Sequence, residues 1–243
     1  MSMGIIGSGE MGRCLATKFV KLGYSVSIAN SRGPQSLTQL AREIGAKAAT
    51  VEEATENKEV VIVSIPQKNV PHLPKNLFKQ LPKDIVIVDT GNYYPTLRDG
   101  AIPELDQHAI DSLWVQEQLG IPVVKVFNSI LATSLNDMRR PKGDRNRIAL
   151  AVSGDDAKSK EVVFRLVEEM RFDPFDIGSI KQSWKQQPGS PIYCRDINLE
   201  ELRKRVDAMG AWTNMRDLIL SKRKADEVLM KADYPAYLKG LKG

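Results

Sequence analysis

The sequence predicts an α/β fold: a doubly wound, mostly parallel sheet with helices on both faces and a small helical C-terminal appendix. Three observations support this prediction. Short apolar runs of strand length alternate with segments whose apolar residues recur at helical spacing. The run over residues 60–66 is apolar almost throughout, as a central parallel strand would be. A glycine-rich turn joins the first run to the first helix.

The opening segment has the order strand, glycine turn, helix, strand. Residues 3–6 are the first apolar run, and residues 24–29 are the second. Between them Leu15, Phe19 and Leu22 recur along one helix face. This order is typical of the first βαβ unit of a Rossmann-type dinucleotide-binding fold. Further strands are predicted at residues 46–51, 60–66, 85–89, 123–129, 148–152 and 172–177.

Each glycine of the G-x-G-x-x-G turn has a physical task in such a site. Gly7 allows the tight turn, Gly9 lets the backbone approach a pyrophosphate, and Gly12 lets the helix lie close to the sheet. The positive end of the helix and its free N–H groups attract phosphate. We therefore expect this turn to hold the pyrophosphate through Gly7, Ser8, Gly9, Glu10, Met11 and Gly12.

The end of the second strand indicates which dinucleotide is bound. An NAD site needs a carboxylate about 20 residues past the glycines for the ribose 2′-OH. Here the chain reads Asn30, Ser31, Arg32, and residues 11–42 contain no Asp or Glu. Arg32 can pair with a 2′-phosphate and stack on adenine, and Ser31 can donate a hydrogen bond. The segment therefore favours NADP(H), the alternative being a polar loop without a ligand.

Three later segments are expected to frame the nicotinamide, because ligands lie at the carboxyl ends of parallel strands. Ile65 and Pro66 end one strand, and Gly91 lies in the loop after the next. Asn128 ends a third and could present its amide to the nicotinamide carboxamide or to substrate. For the loop at residues 90–95 the alternative is a simple turn, and for Asn128 it is a structural hydrogen bond.

Size and composition limit the domain organisation. The chain has 243 residues, a mass of 27.1 kDa and 42% hydrophobic residues, enough for a sizeable core. We predict an NADP-binding Rossmann-type domain over residues 1–182. Residues 183–243 contain a Pro/Gly loop and two helical patterns, and they are predicted to form a helical cap or a dimerisation segment.

Composition also argues against several other functions. No apolar run approaches the ~18 residues of a membrane span, and the N-terminus does not resemble a signal peptide. Two cysteines without a C-x-x-C pattern give no support to a metal site. The net charge of +5 is diffuse, so nucleic acid is not an expected partner. We expect a cytoplasmic protein without metal that acts on a small-molecule or cofactor substrate.

The sequence offers few groups for acid–base catalysis. His72 and His108 are the only histidines and lie in exposed-looking stretches, and no Tyr-x-x-x-Lys pair is present. No catalytic residue is therefore assigned. The simplest inference is hydride transfer by proximity to an acceptor that delocalises the charge itself, such as a flavin or deazaflavin ring.

Residues 4–12, 30–34, 89–92 and 125–128 together resemble the NADPH-dependent coenzyme F420 reductase family. The same fold resembles the cytosolic domain of the STEAP metalloreductases and the N-terminal domain of pyrroline-5-carboxylate reductases. The resemblance covers roughly residues 3–180. It implies hydride exchange between NADPH and the deazaflavin F420, usually in a homodimer, with no metal and no dedicated acid–base residue.

The tail from Trp184 onward does not match the deazaflavin-binding part of those reductases. FMN or FAD is therefore a rival acceptor. Two other functions stay open: a non-catalytic NADP(H)-sensing protein, and an imine or ketone reductase with Tyr93, Tyr94 or Tyr193 as proton donor. A pyrroline-5-carboxylate or hydroxyacid reductase is disfavoured, because too little chain follows the last strand to build its helical second domain.

Overall fold

The fold is built on a parallel six-stranded sheet. The computed structural model describes residues 1–74, 76–108 and 110–241, with only the backbone of His108 included. The strand order is β3-β2-β1-β4-β5-β6. The strands after β1 are thus added first on one side of it, as β2 and β3, and then on the other side, beginning with β4. Parallel pairing links all neighbours, and the strands are β1 Ser2–Ile6, β2 Ser25–Ala29, β3 Lys47–Ala49, β4 Val60–Val63, β5 Val86–Asp89 and β6 Val124–Lys125.

Helices connect these strands and cover both faces of the sheet, as predicted for a Rossmann-type fold. The first, α1, carries Leu15, Ala16 and Phe19 into the core, while α4 buries Trp114 and Val115 against the opposite face. The α-helices of this part are α1 Glu10–Lys21, α2 Thr38–Ile44, α3 Pro103–His108, α4 Asp111–Leu119 and α5 Ala132–Asp137. Short 3₁₀ helices occur at Pro34–Leu37, Gln67–His72 and Phe78–Gln80, and Pro95–Asp99 forms one π-helical turn.

A separate two-stranded sheet adjoins β6, and its strands run in the opposite direction. Strands β7 (Ala149–Val152) and β8 (Asp173–Asp176) are parallel to each other and are joined by helix α6 (Ala157–Glu169). An antiparallel bridge between Lys125 and Ser153 attaches this pair to β6. The sheet is therefore mostly parallel, which confirms the predicted fold class.

The C-terminal part is helical. It consists of a 3₁₀ helix at Ile180–Gln186 and of α7 (Leu199–Ala208), α8 (Trp212–Ala232) and α9 (Tyr234–Leu241). Asn198 caps α7, since its Oδ1 accepts a hydrogen bond from the N–H of Glu201 at 3.0 Å. The side chain of Glu201 accepts a hydrogen bond from Arg205 Nε at 2.7 Å. Within the part of the chain that the structure describes, no helix is long and apolar enough to cross a membrane.

Candidate dinucleotide-binding crevice

Two adjoining cavities open at the carboxyl ends of the strands, beside the point between β1 and β4 where the strand order switches from one side of β1 to the other. We call them the β2 cavity and the β5 cavity. The β2 cavity has a volume of about 590 Å³ and lies between the ends of β1, β2 and β4. The β5 cavity, about 310 Å³, lies between the start of α1, the ends of β4 and β5 and the loop after β6. They share Gly9, Ser64, Ile65 and Pro66, so together they form one crevice. This is where doubly wound folds bind ligands.

The glycine turn forms the centre of the crevice, and its geometry requires glycine for two reasons. Gly7 has a φ of +121°, and a Cβ there would lie 2.0 Å from the carbonyl oxygen of Ser64. A Cβ on Gly12 would lie 2.1 Å from the carbonyl oxygen of Gly7, so this residue sets how closely α1 approaches the sheet. A Cβ on Gly9 would meet no protein atom within 4 Å. Gly9 therefore leaves open a space that a ligand can enter.

The backbone of the turn is held from both sides. The N–H of Gly7 donates to the carbonyl oxygen of Ala29 at 2.8 Å, and Arg13 Nε donates to that of Ser8 at 2.9 Å. Because Gly9 occupies the N-cap position of α1 and has no side chain, the first N–H groups of the helix stay available to an anion. The turn thus presents free N–H groups at the position where the sequence predicts a phosphate.

Asn30 connects the end of β2 to this turn. Its Nδ2 lies 3.2 Å from Ser8 Oγ and 3.0 Å from Ser36 Oγ, and its Oδ1 accepts from the N–H of Arg32 at 2.9 Å. Asn30 is buried, whereas Ser31 and Arg32 are exposed at the rim of the β2 cavity. Arg32 has no acidic partner within ion-pair distance in the described chain, so its guanidinium is available to a ligand.

Sequence reasoning missed several residues of the β2 cavity. Thr50 and Glu52 reach it from the turn after β3, and Asn69 and His72 from the helix after β4. Their positions after strand ends were the signal that could have identified them. His72 is exposed, as expected, but it lies at the cavity wall. The side chain of His108 lies outside the described residues.

The β5 cavity has an apolar wall and a polar floor. Apolar contacts come from Met11 on α1, from Ile65 and Pro66, and from Ile130 and Leu131 after β6. The polar floor consists of Thr90, Gly91, Asn92 and Asn128. Such a lining suits a flat, largely apolar ring with a few polar edges.

Asn128 orients its neighbours through its amide. Its Nδ2 donates to Asn92 Oδ1 at 3.0 Å and to the carbonyl oxygen of Gln186 at 2.7 Å. Asn92 Nδ2 in turn donates to the carbonyl oxygen of Asn128 at 3.0 Å and to the hydroxyl of Tyr193 at 3.1 Å. Both amide nitrogens are engaged within the protein. The predicted contact between Asn128 and the nicotinamide stays a prediction, and the structure adds an orienting role.

A buried ion pair lies beneath this floor. Lys125 Nζ lies 2.9 Å from Asp89 Oδ2, and both side chains are almost wholly buried. Ser112 donates to the same carboxylate at 2.8 Å, and the N–H of Gly91 donates to Asp89 Oδ1 at 2.7 Å. Lys125 also donates to the carbonyl oxygen of Gly91. These bonds fix the Gly91 backbone at the cavity floor, because a satisfied buried network is rigid.

Burial makes Tyr193 and Cys194, two titratable residues that line the β5 cavity, weaker acids. Burial raises the pKa of Tyr193 well above its ordinary value and that of Cys194 to about 12. The Tyr193 hydroxyl is hydrogen-bonded to that of Tyr94, whose pKa burial also raises. Tyr93 bonds Asp106 and the carbonyl oxygen of Gly100, away from the cavity lining. The C-terminal part thus contributes two residues to the cavity wall: Tyr193, which the sequence offered as a candidate proton donor, and Cys194, which sequence reasoning missed.

The structure brings the predicted site residues together. Twelve of them line one cavity or both, and the remaining residue, Gly12, lies behind the turn. The lining residues are Gly7, Ser8, Gly9, Asn30, Ser31, Arg32, Ile65 and Pro66 in the β2 cavity and Gly9, Glu10, Met11, Ile65, Pro66, Gly91 and Asn128 in the β5 cavity.

Comparison with known proteins agrees with the resemblance predicted from the sequence. Residues 2–93 match the family of NADP oxidoreductases, coenzyme F420-dependent. Metalloreductase STEAP3 of Rattus norvegicus is 33% identical over 180 residues, 73% of this chain and 34% of its own length. The protein YjhV of Escherichia coli is 48% identical over 58 residues, 24% of this chain and 42% of its own length. The chain therefore spans well under half of these curated relatives.

Solved structures show the same fold. The hypothetical protein SMa0349 of Sinorhizobium meliloti is 28% identical with a TM-score of 0.66, covering 80% of this chain and 94% of its own. A candidate F420-dependent NADP-reductase of Arthrobacter sp. FB24 has 24% identity and a TM-score of 0.63, covering 76% and 87% of the two chains. The imine reductase BcSIRED of Bacillus cereus has 19% identity and a TM-score of 0.51, covering 98% and 74%. The matching family and the named reductases are oxidoreductases, and the family's description includes NADP.

Proposed function

Because residues 2–93 match the coenzyme F420-dependent NADP oxidoreductases, we propose that this protein is an NADPH-dependent oxidoreductase. It would transfer a hydride between NADP(H) and a flavin-like or deazaflavin acceptor. The observation that carries the proposal is the crevice itself. The open space at Gly9 lies between the unpaired guanidinium of Arg32 in the β2 cavity and the apolar wall of the β5 cavity.

The residues of the β2 cavity fit NADP. Gly9 leaves the space that a pyrophosphate requires, and the α1 N-terminus supplies N–H donors and a positive dipole end. Arg32 and Ser31 stand at the end of β2, where a carboxylate would select NAD. Asn30 holds both at the rim through its bond to the N–H of Arg32. These contacts support a preference for the 2′-phosphorylated cofactor.

The β5 cavity supports hydride transfer without a dedicated acid. When bound, the nicotinamide would donate a hydride in its reduced form and accept one in its oxidised form. Met11, Ile65 and Pro66 would exclude water from one ring face, while Asn92 and Gly91 offer polar atoms at the floor. Burial raises the pKa of Tyr193 and of Cys194 and so makes both weaker acids, which favours an acceptor that carries the added negative charge in its own ring system. Flavins and deazaflavins meet that requirement.

Stopped-flow oxidation of NADPH tests the proposal directly. We expect oxidation with at least one of F420, FMN and FAD, and much slower oxidation of NADH. The same experiment with a small imine and a small ketone as acceptors tests the alternative of an imine or ketone reductase. Bound NADPH that is oxidised by none of these acceptors would contradict the enzyme proposal and favour an NADP(H)-sensing protein. Failure to bind NADPH at millimolar concentration would contradict both.

A further inference from the structure

The Pro95–Asp99 turn brings a cation to the β5 cavity. Arg98 is the single cationic side chain among the described residues that line this cavity. It donates to the carbonyl oxygen of Asn92, pairs with Asp99 at 2.9 Å and lies 5.4 Å from the centre of the Tyr94 ring. Its Nη1 makes no hydrogen bond to any residue that the structure describes. The guanidinium is therefore oriented by its neighbours while one edge stays available.

A carboxylate from the distant helix α8 holds this turn. Glu227 Oε2 accepts from the N–H and the hydroxyl of Thr96 at 2.7 and 2.8 Å and from the N–H of Leu97 at 2.7 Å. One helical turn further along α8, Lys231 donates to the carbonyl oxygen of Thr96. Helix α8 therefore binds donors and an acceptor of the same turn, across about 130 residues of sequence.

Stability alone is a poor explanation for this arrangement. Glu227 is 0% exposed, and its Oε1 has no hydrogen-bond partner among the described residues. Removing a carboxylate from water is costly, and buried charges often contribute little net stability compared with apolar groups. A buried charge can instead fix one geometry among several, and here the fixed geometry is that of the turn carrying Arg98.

We propose that Glu227 is a positioning residue that holds Arg98 against the acceptor, and that Arg98 stabilises the negative charge which the acceptor gains. This inference rests on the proposed function and adds which residues stabilise the charge on its acceptor. Hydride leaves C4 of NADPH with both electrons of its C–H bond, and a new bond to hydrogen forms on the acceptor ring. NADP⁺ is released, and the acceptor becomes an anion without receiving a separate proton. A cation beside that ring lowers the barrier, because it interacts more strongly with the product-like charge than with the neutral ring.

A double-mutant cycle tests the coupling between the two residues. The variants are Arg98→Gln, Glu227→Gln and the double variant, and Asp226→Asn is the matched control because Asp226 lies on α8 but pairs with Lys222. In single-turnover reactions with F420, FMN or FAD, we expect Arg98→Gln to slow hydride transfer about tenfold, the factor that ~1.4 kcal/mol represents. Glu227→Gln should slow it several-fold, and the double variant should match Arg98→Gln, because Glu227 acts through Arg98. The control should retain the wild-type rate.

Binding measurements separate this inference from the proposed function. NADP⁺ affinity, measured by calorimetry, should stay within about twofold of wild type in every variant, which also shows that each one folds. If the rate losses of the two single variants multiply in the double variant, Glu227 does not act through Arg98, and the positioning role is overturned. An unchanged rate in Arg98→Gln would overturn the charge role. In both cases turnover by the wild-type protein would leave the proposed function intact. A wild-type protein that neither binds nor reduces any of the three acceptors would overturn both.

Discussion

Replacing Arg32 by alanine is expected to remove the preference for NADPH over NADH. The guanidinium lies exposed at the rim of the β2 cavity without a protein counter-ion in the described chain, so the substitution breaks no internal ion pair. A hydrogen bond to a charged group is worth ~1.5–3 kcal/mol, and exposure to water favours the lower end of that range. Because ~1.4 kcal/mol is a factor of ten, NADP⁺ affinity should fall about tenfold. NAD⁺ has no 2′-phosphate, so its affinity should stay nearly constant.

Calorimetric titration with NADP⁺ and NAD⁺ measures both numbers on the same protein. Arg42→Ala is the matched control, since Arg42 is exposed on α2 and lies outside both cavities. The loss in Arg32→Ala should shrink as ionic strength rises, because salt screens exposed charges over ~10 Å at 0.1 M. Equal losses for the two nucleotides, or the same loss in the control, would refute the assignment of Arg32 to the 2′-phosphate.

Three further predictions concern the fold around the crevice. Gly9→Ala should abolish NADP⁺ binding and lower the unfolding free energy only by the ~1 kcal/mol that a less favourable N-cap residue costs. Gly12→Ala should lower the melting temperature much more, because only its Cβ meets protein atoms. Equal melting temperatures of the two variants would contradict this. Lys125→Met leaves the Asp89 carboxylate buried without its cation, so urea unfolding should show a loss of about 3–5 kcal/mol. Asn198→Ala removes the α7 cap and should cost about 1 kcal/mol in the same assay, with no change in nucleotide affinity.

The parts of the fold that the sequence predicted depend on local chemistry. Continuous apolar runs located β1, β2 and β5 to within one residue at each end, because buried parallel strands need such runs. The start of β4 was also correct, but this strand ends at Val63, three residues before the predicted end at Pro66. The glycine turn was predictable because its constraints are steric and act between residues near one another in the fold. The Asn30 to Arg32 segment was identified by what it lacks, a carboxylate, and the structure places it at the rim of the β2 cavity.

The remaining parts depend on contacts between distant residues. The predicted strand at 123–129 is reduced to Val124–Lys125, since Phe127 takes a φ of +62° and turns the chain away from the sheet. Tyr193, a candidate proton donor in the sequence, and Cys194, which was not predicted, reach the β5 cavity through the packing of the C-terminal part. The bond between Glu227 and the Pro95–Asp99 turn joins residues without any shared periodicity. Helix α9 was not predicted; its second residue is Pro235, and proline is tolerated in the first turn of a helix.

The wall residues common to both cavities determine whether two fragments of a ligand can bind at the same time. Gly9, Ser64, Ile65 and Pro66 border each cavity, so an elongated molecule spans these residues and two shorter ones can sit on either side of them. Adenosine 2′,5′-bisphosphate and nicotinamide mononucleotide should therefore occupy the protein at the same time. Linking such fragments gains affinity through effective concentration, which is millimolar for a short connection. The intact dinucleotide should then bind more tightly than either fragment, with no contact beyond those that the separate pieces make.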